Sequence, residues 1–130
     1  MVARVLVVDD ESGIRQVLKE CLRSRYEVST AEDGRAAQEL LSRNDYDAIV
    51  LDIHLPHLSG MEIYQWLEAE KPEQARRTLF ITCVSSYPTY EKFAEENRDR
   101  CFAKPFMIDE LMLAVERLIQ KNAAARPPSR

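Results

Sequence analysis

The segment Arg4-Val5-Leu6-Val7-Val8-Asp9-Asp10 determines how the rest of the sequence is interpreted. Residues 4–8 are mostly β-branched and apolar, and two aspartates then end the run. A short run that is apolar on both faces is typical of a parallel strand covered by helices on each side. Apolar residues next recur at the spacing of an amphipathic helix, at Ile14, Val17, Leu18, Cys21 and Leu22. We therefore predict a strand followed by a helix, with Ser12 as the helix N-cap.

The same alternation of strand and helix continues along the chain. Further strands are predicted at residues 26–31, 47–51, 78–83 and 100–103. Helices are predicted at residues 36–41 and 61–70, in a segment that begins near Pro88 and carries Phe93, and at residues 111–119. Pro72 is expected to end the third helix, and Asn97 to end the fourth in the left-handed conformation. Because parallel strands need crossover connections, this series indicates a three-layer α/β domain with right-handed crossovers.

Composition excludes several classes of protein. Lysine and arginine number 18 against 22 aspartates and glutamates, and the resulting net charge of −4 argues against direct nucleic-acid binding. No apolar run approaches the roughly 20 residues that a membrane-spanning helix needs. The three glycines are too widely separated for a glycine-rich phosphate-binding loop. Three cysteines without a Cys-x-x-Cys pair, and no signal peptide, lead us to expect a cytoplasmic protein with reduced thiols.

The residues that follow the predicted strands suggest a site. Asp9 and Asp10 follow the first strand, Asp52 the third and Lys104 the fifth, while Thr82 ends the fourth. If the first and third strands are neighbours about 4.8 Å apart, their three carboxylates crowd together and need a cation. Oxygen ligands favour Mg²⁺, and aspartate is a known nucleophile toward phosphoryl groups. Each residue alone also has an ordinary explanation, as a helix cap, a strand former or a surface lysine.

Taken together, these motifs resemble the receiver domain of bacterial two-component response regulators over about residues 3–121. The motifs that carry the resemblance are Val-Leu-Val-Val-Asp9-Asp10-Glu11, Ile-Val-Leu-Asp52-Ile-His-Leu-Pro56 with Gly60, Ile-Thr82 and Lys104-Pro105-Phe106. The steps of 30 residues from Asp52 to Thr82 and 22 residues from Thr82 to Lys104 match the family. The resemblance implies a flavodoxin-like (βα)5 fold with a parallel sheet in the order 2-1-3-4-5. It also implies a receiver domain over residues 1–121 and a flexible tail or linker over residues 122–130.

The resemblance further implies a role for each site residue. Asp52 would accept the phosphoryl group from a phosphohistidine of a histidine kinase or phosphotransfer domain. Mg²⁺ would be held by Asp9, Asp10, Asp52 and the backbone carbonyl of His54. Thr82 and Lys104 would contact the phosphoryl group, and the Lys104–Pro105 bond would be cis. The domain would promote its own phosphorylation and dephosphorylation rather than act as an enzyme, and the helix after the fourth strand and the last helix form a common dimer face in the family.

The sequence departs from the family pattern at positions linked to signalling. Cys101 stands where an aromatic residue usually moves together with the threonine, and Cys83 replaces the small residue after Thr82. Asn97-Arg98 replaces the common Gly-Ala before the fifth strand, and His54 occupies a position that tunes phosphate hydrolysis. These departures motivate an alternative, a receiver-fold interaction module with impaired phosphate switching.

Other readings remain open from the sequence. An aspartate-nucleophile phosphatase would share the chemistry, but it usually carries Asp-x-Asp after the first strand, where this chain has Asp9-Asp10-Glu11. A flavodoxin-like electron carrier would need a loop of serine, threonine and glycine to hold the flavin phosphate. Within the receiver hypothesis, the domain could belong to a hybrid sensor histidine kinase or be a free-standing regulator.

Overall fold

A five-stranded parallel sheet forms the centre of the molecule. The computed structural model describes residues 2–83, 92–93 and 95–125. The strands are β1 (Arg4–Val8), β2 (Glu27–Ala31), β3 (Ala48–Asp52), β4 (Thr78–Cys83) and β5 (Cys101–Lys104). All neighbouring strands pair in parallel, in the order β2-β1-β3-β4-β5. The predicted fold and strand order are therefore confirmed, and β3 extends one residue further than predicted, to include Asp52.

Helices cover both faces of the sheet. They are α1 (Ser12–Leu22), α2 (Gly34–Arg43), α3 (Gly60–Glu70), α4 (Pro72–Arg76) and α5 (Ile108–Ala125), with a 3-10 turn at Arg98–Arg100. Residues 92–93 and 95–96 are also helical, between β4 and β5. The beginning of that predicted helix, near Pro88, lies outside the described residues. Within the described part of the chain, no helix combines the length and apolar character that crossing a membrane requires.

The alternation of side chains along the strands divides the core into two layers. Leu6 and Val8 of β1 pack with α2 and α3, whereas Val5 and Val7 pack with α1 and α5. Every residue of β3 is buried, as expected for a central strand covered on both faces. Burial of this apolar surface stabilises the three-layer arrangement, and the parallel pairing places the carboxyl ends of all five strands at one edge.

Two predictions about helix boundaries are wrong. Glu11, rather than Ser12, occupies the N-cap position of α1, and it makes no side-chain capping bond. Asn97 has φ −121°, so it does not adopt the left-handed conformation, and the 3-10 turn follows it directly. The Glu11 carboxylate accepts a hydrogen bond from Lys104 instead of capping the helix.

Three features of the helices were not predicted. Pro72 begins the short helix α4 as well as following α3, because proline is well suited to the first turn of a helix. Asp33 caps α2 by accepting from the Ala36 N–H at 2.8 Å. The last helix continues to Ala125, past the domain boundary expected after residue 121. That boundary stays a prediction.

Candidate functional site

Three aspartates meet at the carboxyl edge of the sheet. Val8 of β1 is paired with Leu51 of β3, so Asp9 and Asp52, the next residues on the two strands, lie side by side. Asp9, Asp10 and Asp52 each offer a carboxylate oxygen, and these oxygens lie within 4.8 Å of one another. Asp9 and Asp52 are buried and Asp10 is exposed. The structure therefore brings together the acidic residues that the sequence analysis singled out.

The side chain of Lys104 reaches this cluster from β5, across the intervening strand β4. Its Nζ lies 3.1 Å from Asp9 Oδ2, 3.1 Å from Asp52 Oδ2 and 2.7 Å from Glu11 Oε1. The Lys104 side chain is 11% exposed, so the ammonium group is largely enclosed by these carboxylates. Sequence reasoning anticipated the lysine, but it assigned no role to Glu11. The position of Glu11 directly after Asp9-Asp10 is the sequence feature that could have indicated its contact with the site.

Backbone amides hold the two buried carboxylates in position. The Glu11 N–H donates to Asp9 Oδ1 at 2.9 Å, and the His54 N–H donates to Asp52 Oδ1 at 2.9 Å. Among the described residues, the second oxygen of each aspartate accepts no backbone N–H and lies 3.1 Å from Lys104 Nζ. Such local side-chain bonds to the following backbone are characteristic of aspartate in loops. They orient Asp52 before any ligand arrives.

Burial and repulsion make the negative charge of this cluster costly. The pKa of Asp52 is raised to about 6, mainly by burial and also by the charge of Asp9, while the His54 N–H and Lys104 oppose the increase. Burial also raises the pKa of Asp9, against the Glu11 N–H and Lys104. Burial alone would lower the pKa of Lys104, but its bonds to the surrounding carboxylates outweigh that effect and raise it. The single ammonium therefore stays charged and stabilises the acids around it.

The donor set fits a hard divalent cation. Asp9 Oδ2 is buried and, within the described residues, accepts no hydrogen bond, although the Lys104 ammonium is close to it. A buried carboxylate oxygen without a donor is expected where a cation supplies the missing partner. Three carboxylates, one of them exposed to water, suit Mg²⁺, which keeps several water ligands. His54 lies at the edge of the cluster, and the role of its carbonyl as a further ligand stays a prediction.

Thr82 lies at the same edge on β4. Ile81 is the register partner of Asp52, so Thr82 is one residue closer to the carboxyl end, half-buried and opposite Ala103 of β5. This position is compatible with the predicted contact between the Thr82 hydroxyl and a phosphoryl group on Asp52. The contact itself stays a prediction.

The two cysteines singled out earlier differ in what the structure describes. Cys101 begins β5 opposite Phe80 and packs against the core layer that α2 and α3 form. Burial raises the pKa of Cys101 to about 11, so it is a neutral thiol at physiological pH. Rings that pack on this side of the sheet include those of Phe80 and Phe93, whose centroids lie 4.8 Å apart, edge to face. The side chain of Cys83 lies outside the described residues.

Two further backbone features shape the loops of the site. Gly60 begins α3 so close to β3 that a Cβ atom there would collide with the carbonyl oxygen of Asp52. Its N–H donates to the carbonyl oxygen of Ile53 at 2.9 Å. The Lys104–Pro105 peptide bond is cis, as predicted. The lack of a side chain at Gly60 allows α3 to begin directly against the end of β3.

Comparison with known proteins identifies the family. The family model of the response regulator receiver domain matches residues 5–116. Response regulator MprA from Mycobacterium sp. (strain KMS) is 30% identical over 129 residues, covering 98% of this chain and 55% of that protein. Transcriptional regulatory protein PrrA from Mycobacterium tuberculosis is 35% identical over 127 residues, covering 97% of this chain and 54% of that protein. The chain thus spans about half the length of these curated relatives.

Solved structures agree with the sequence matches. The receiver domain of the Francisella response regulator 1452 superimposes with a TM-score of 0.79 at 28% identity, covering 92% of this chain and 98% of that one. The resemblance seen in the motifs is therefore confirmed by sequence, and the fold by superposition. The chain belongs to the family of response regulator receiver domains.

Proposed function

We propose that this receiver domain accepts a phosphoryl group on Asp52 from a phosphohistidine, and that the modification switches a protein-interaction surface. The proposal rests on the way in which the structure holds the Asp52 carboxylate. It is 1% exposed, oriented by the His54 N–H, and its Oδ2 lies 3.1 Å from the Lys104 ammonium. An aspartate held in this way can act as a nucleophile while a fixed cation stands ready for the transferred group.

Several residues of this chain would have separate roles in phosphoryl transfer. Asp52 Oδ2 forms the new O–P bond as the N–P bond of the phosphohistidine breaks and its electron pair leaves with the imidazole. Lys104 stabilises the charge that develops on one phosphoryl oxygen, and the Thr82 hydroxyl donates to another. Asp9, Asp10, Asp52 and the His54 carbonyl would hold Mg²⁺. When bound, Mg²⁺ would supply positive charge to the carboxylates and the phosphoryl oxygens.

The partner that delivers the phosphoryl group would be a histidine kinase or phosphotransfer domain. Phosphorylation would then bias the loops after β4 and β5, because Thr82 and Lys104 are the groups that contact the new phosphoryl oxygens. A homodimer through the helix after β4 and the last helix, and a place within a hybrid sensor kinase, remain predictions. The alternative, a receiver-fold interaction module with impaired phosphate switching, is not favoured, since the three aspartates and Lys104 are all present and close together.

Incubation with acetyl phosphate and Mg²⁺, followed by intact-mass spectrometry, tests the proposal. We expect the wild type to gain one phosphoryl group and Asp52→Ala to gain none. Asp45→Ala is a suitable control, because Asp45 is 72% exposed and precedes β3, at the opposite end of the strand from Asp52. An adduct that persists in Asp52→Ala, or a wild type that gains no phosphate, would refute the assignment.

A further inference from the structure

The ammonium group of Lys104 has no N–H left for a phosphoryl oxygen. An ammonium donates three hydrogen bonds. Those of Lys104 go to Glu11 Oε1 at 2.7 Å, Asp52 Oδ2 at 3.1 Å and Asp9 Oδ1 at 3.4 Å. If Asp52 is phosphorylated as proposed above, on which this inference rests, Oδ2 becomes the ester oxygen, and the ammonium must turn to the phosphoryl group while Asp9 and Glu11 still hold its other N–H groups. The shortest of the three bonds is the one to Glu11.

Glu11 differs from the two aspartates in how it is held. Asp9 and Asp52 are buried, and each also accepts a backbone N–H. The Glu11 side chain is 57% exposed, and Lys104 is its sole hydrogen-bond or ion-pair partner within the described residues. It lies outside the group of carboxylates that could bind a cation. Glu11 is therefore the partner that an incoming phosphoryl oxygen can displace most readily.

We propose that Glu11 is a positioning residue, which holds the Lys104 ammonium before phosphorylation and competes with the phosphoryl group for it. Glu11 acts through Lys104 and does not contact the reacting atoms. Its contact keeps the enclosed ammonium close to Asp52 in the unmodified domain, and it competes with the phosphoryl oxygens for the same N–H groups once Asp52 is modified. Removing the Glu11 carboxylate should therefore free one N–H donor and favour the phosphorylated state.

A general electrostatic effect has to be separated from this specific competition. Glu11 is negatively charged and close to the path of an anionic phosphodonor, so its removal also reduces repulsion. Glu32 offers a matched control. It follows β2 at the same edge of the sheet, its side chain is 73% exposed, and its ion pair is with Arg15 at 3.9 Å rather than with Lys104. Glu32→Gln removes the same charge without changing the surroundings of the ammonium.

The test is a double-mutant cycle between Glu11 and Lys104. Rates of phosphorylation by acetyl phosphate are measured by intact-mass spectrometry, and the affinity for beryllofluoride by amide chemical shifts, both with saturating Mg²⁺. We expect Glu11→Gln to raise both the rate and the affinity roughly two- to five-fold, which is the range for an ion pair of this exposure. Glu11→Ala should raise both at least as much. In a Lys104→Ala background, the Glu11 substitutions should change the two quantities no more than Glu32→Gln does. Lys104→Gln replaces Lys104→Ala if the latter does not fold.

The possible outcomes separate this inference from the proposed function. A wild type that gains no phosphate on Asp52 contradicts the proposed function itself. If the wild type is phosphorylated, the positioning role is overturned by any of three results. The first is that Glu11→Gln changes neither the phosphorylation rate nor the beryllofluoride affinity. The second is that Glu32→Gln changes them as much as Glu11→Gln does. The third is that Glu11→Gln has its full effect in a Lys104→Ala background. A merely structural role for Glu11 would not produce an effect that depends on the lysine.

Discussion

Burial favours the protonated form of Asp52, so the negative charge that Asp52 carries at neutral pH destabilises the folded domain. Its pKa rises from 3.8 to about 6 on folding, chiefly through burial. The folded state therefore binds the proton more tightly than the unfolded state. This contribution to stability is fully present below pH 3.8 and is lost as the pH rises through about 6.

Asp52→Asn should consequently stabilise the domain in EDTA at pH 7.5, because a neutral amide of the same size replaces a buried charge. We expect the free energy of unfolding to rise by up to about 3 kcal/mol, the equivalent of the change in pKa. The gain should shrink as the pH is lowered from 7.5 toward 4. Urea denaturation at several pH values measures it, with the exposed Asp45→Asn as a control that should show no such trend. A variant no more stable than the wild type at pH 7.5 would contradict the argument.

At the scale of elements, the approach of α3 to β3 depends on the absence of a side chain at Gly60. A Cβ there would collide with the carbonyl oxygen of Asp52 and lie 2.7 Å from Ile53 Cα. Gly60→Ala should therefore displace either the start of α3 or the end of β3. We expect it to lower the melting temperature and to slow phosphorylation of Asp52, although alanine is intrinsically the better helix former.

Gly13→Ala is the matched control for this prediction. Gly13 lies in α1, and a Cβ at this position would have no heavy atom within 4 Å. Helix propensity then acts alone, and we expect a gain in stability of up to about 1 kcal/mol. Thermal denaturation of both variants separates the two effects. Equal gains for Gly13→Ala and Gly60→Ala would show that the close approach to Asp52 has no energetic consequence.

The helices and strands were predictable where apolar spacing or buried runs defined them, and less so where a single side chain decides a boundary. Pro72 signals both the end of one helix and the start of another, and the short helix α4 has too few apolar residues to show a period. Arg100 donates to the carbonyl oxygens of Ala75 and Thr78, and so joins β5 to the end of α4 and the start of β4. Contacts of this kind depend on where the folded chain places backbone carbonyls, and the spacing of residues in the sequence does not reveal those positions.

For the whole molecule, the parallel topology explains why most of the site could be predicted. Parallel strands end at one edge, so Asp9, Asp52 and Lys104 had to converge there once the strand order was known. The order itself came from the resemblance, since alternation of strand and helix is compatible with several orders. The contact between Glu11 and Lys104 was not predicted, because Glu11 lies in the loop between β1 and α1 and not directly at a strand end. It depends on the length of the lysine side chain and on the loop that follows Asp10.

Four carboxylates, those of Asp9, Asp10, Asp52 and Glu11, lie at this edge with one lysine, which gives a local formal charge of 1 − 4 = −3. A cation that binds the folded state alone stabilises it, by about 1.4 kcal/mol at ten times its dissociation constant. We therefore expect MgCl₂ to raise the melting temperature by roughly 5 °C at that concentration. NaCl of equal ionic strength should raise it less, because screening does not place a cation on Asp9 Oδ2, the buried oxygen that accepts no hydrogen bond within the described residues.

Substitutions at the same edge decide whether this increase reflects a bound ion. Asp9→Asn and Asp52→Asn should lose most of the response to MgCl₂, whereas Glu32→Gln should keep it, since Glu32 is outside the cluster. The stability advantage of Asp52→Asn in EDTA should accordingly narrow or reverse in MgCl₂, because the charge that is costly without the cation becomes a ligand with it. A response that survives Asp9→Asn, or that NaCl reproduces in full, would mean that the acidic cluster responds to ionic strength and not to a specific cation.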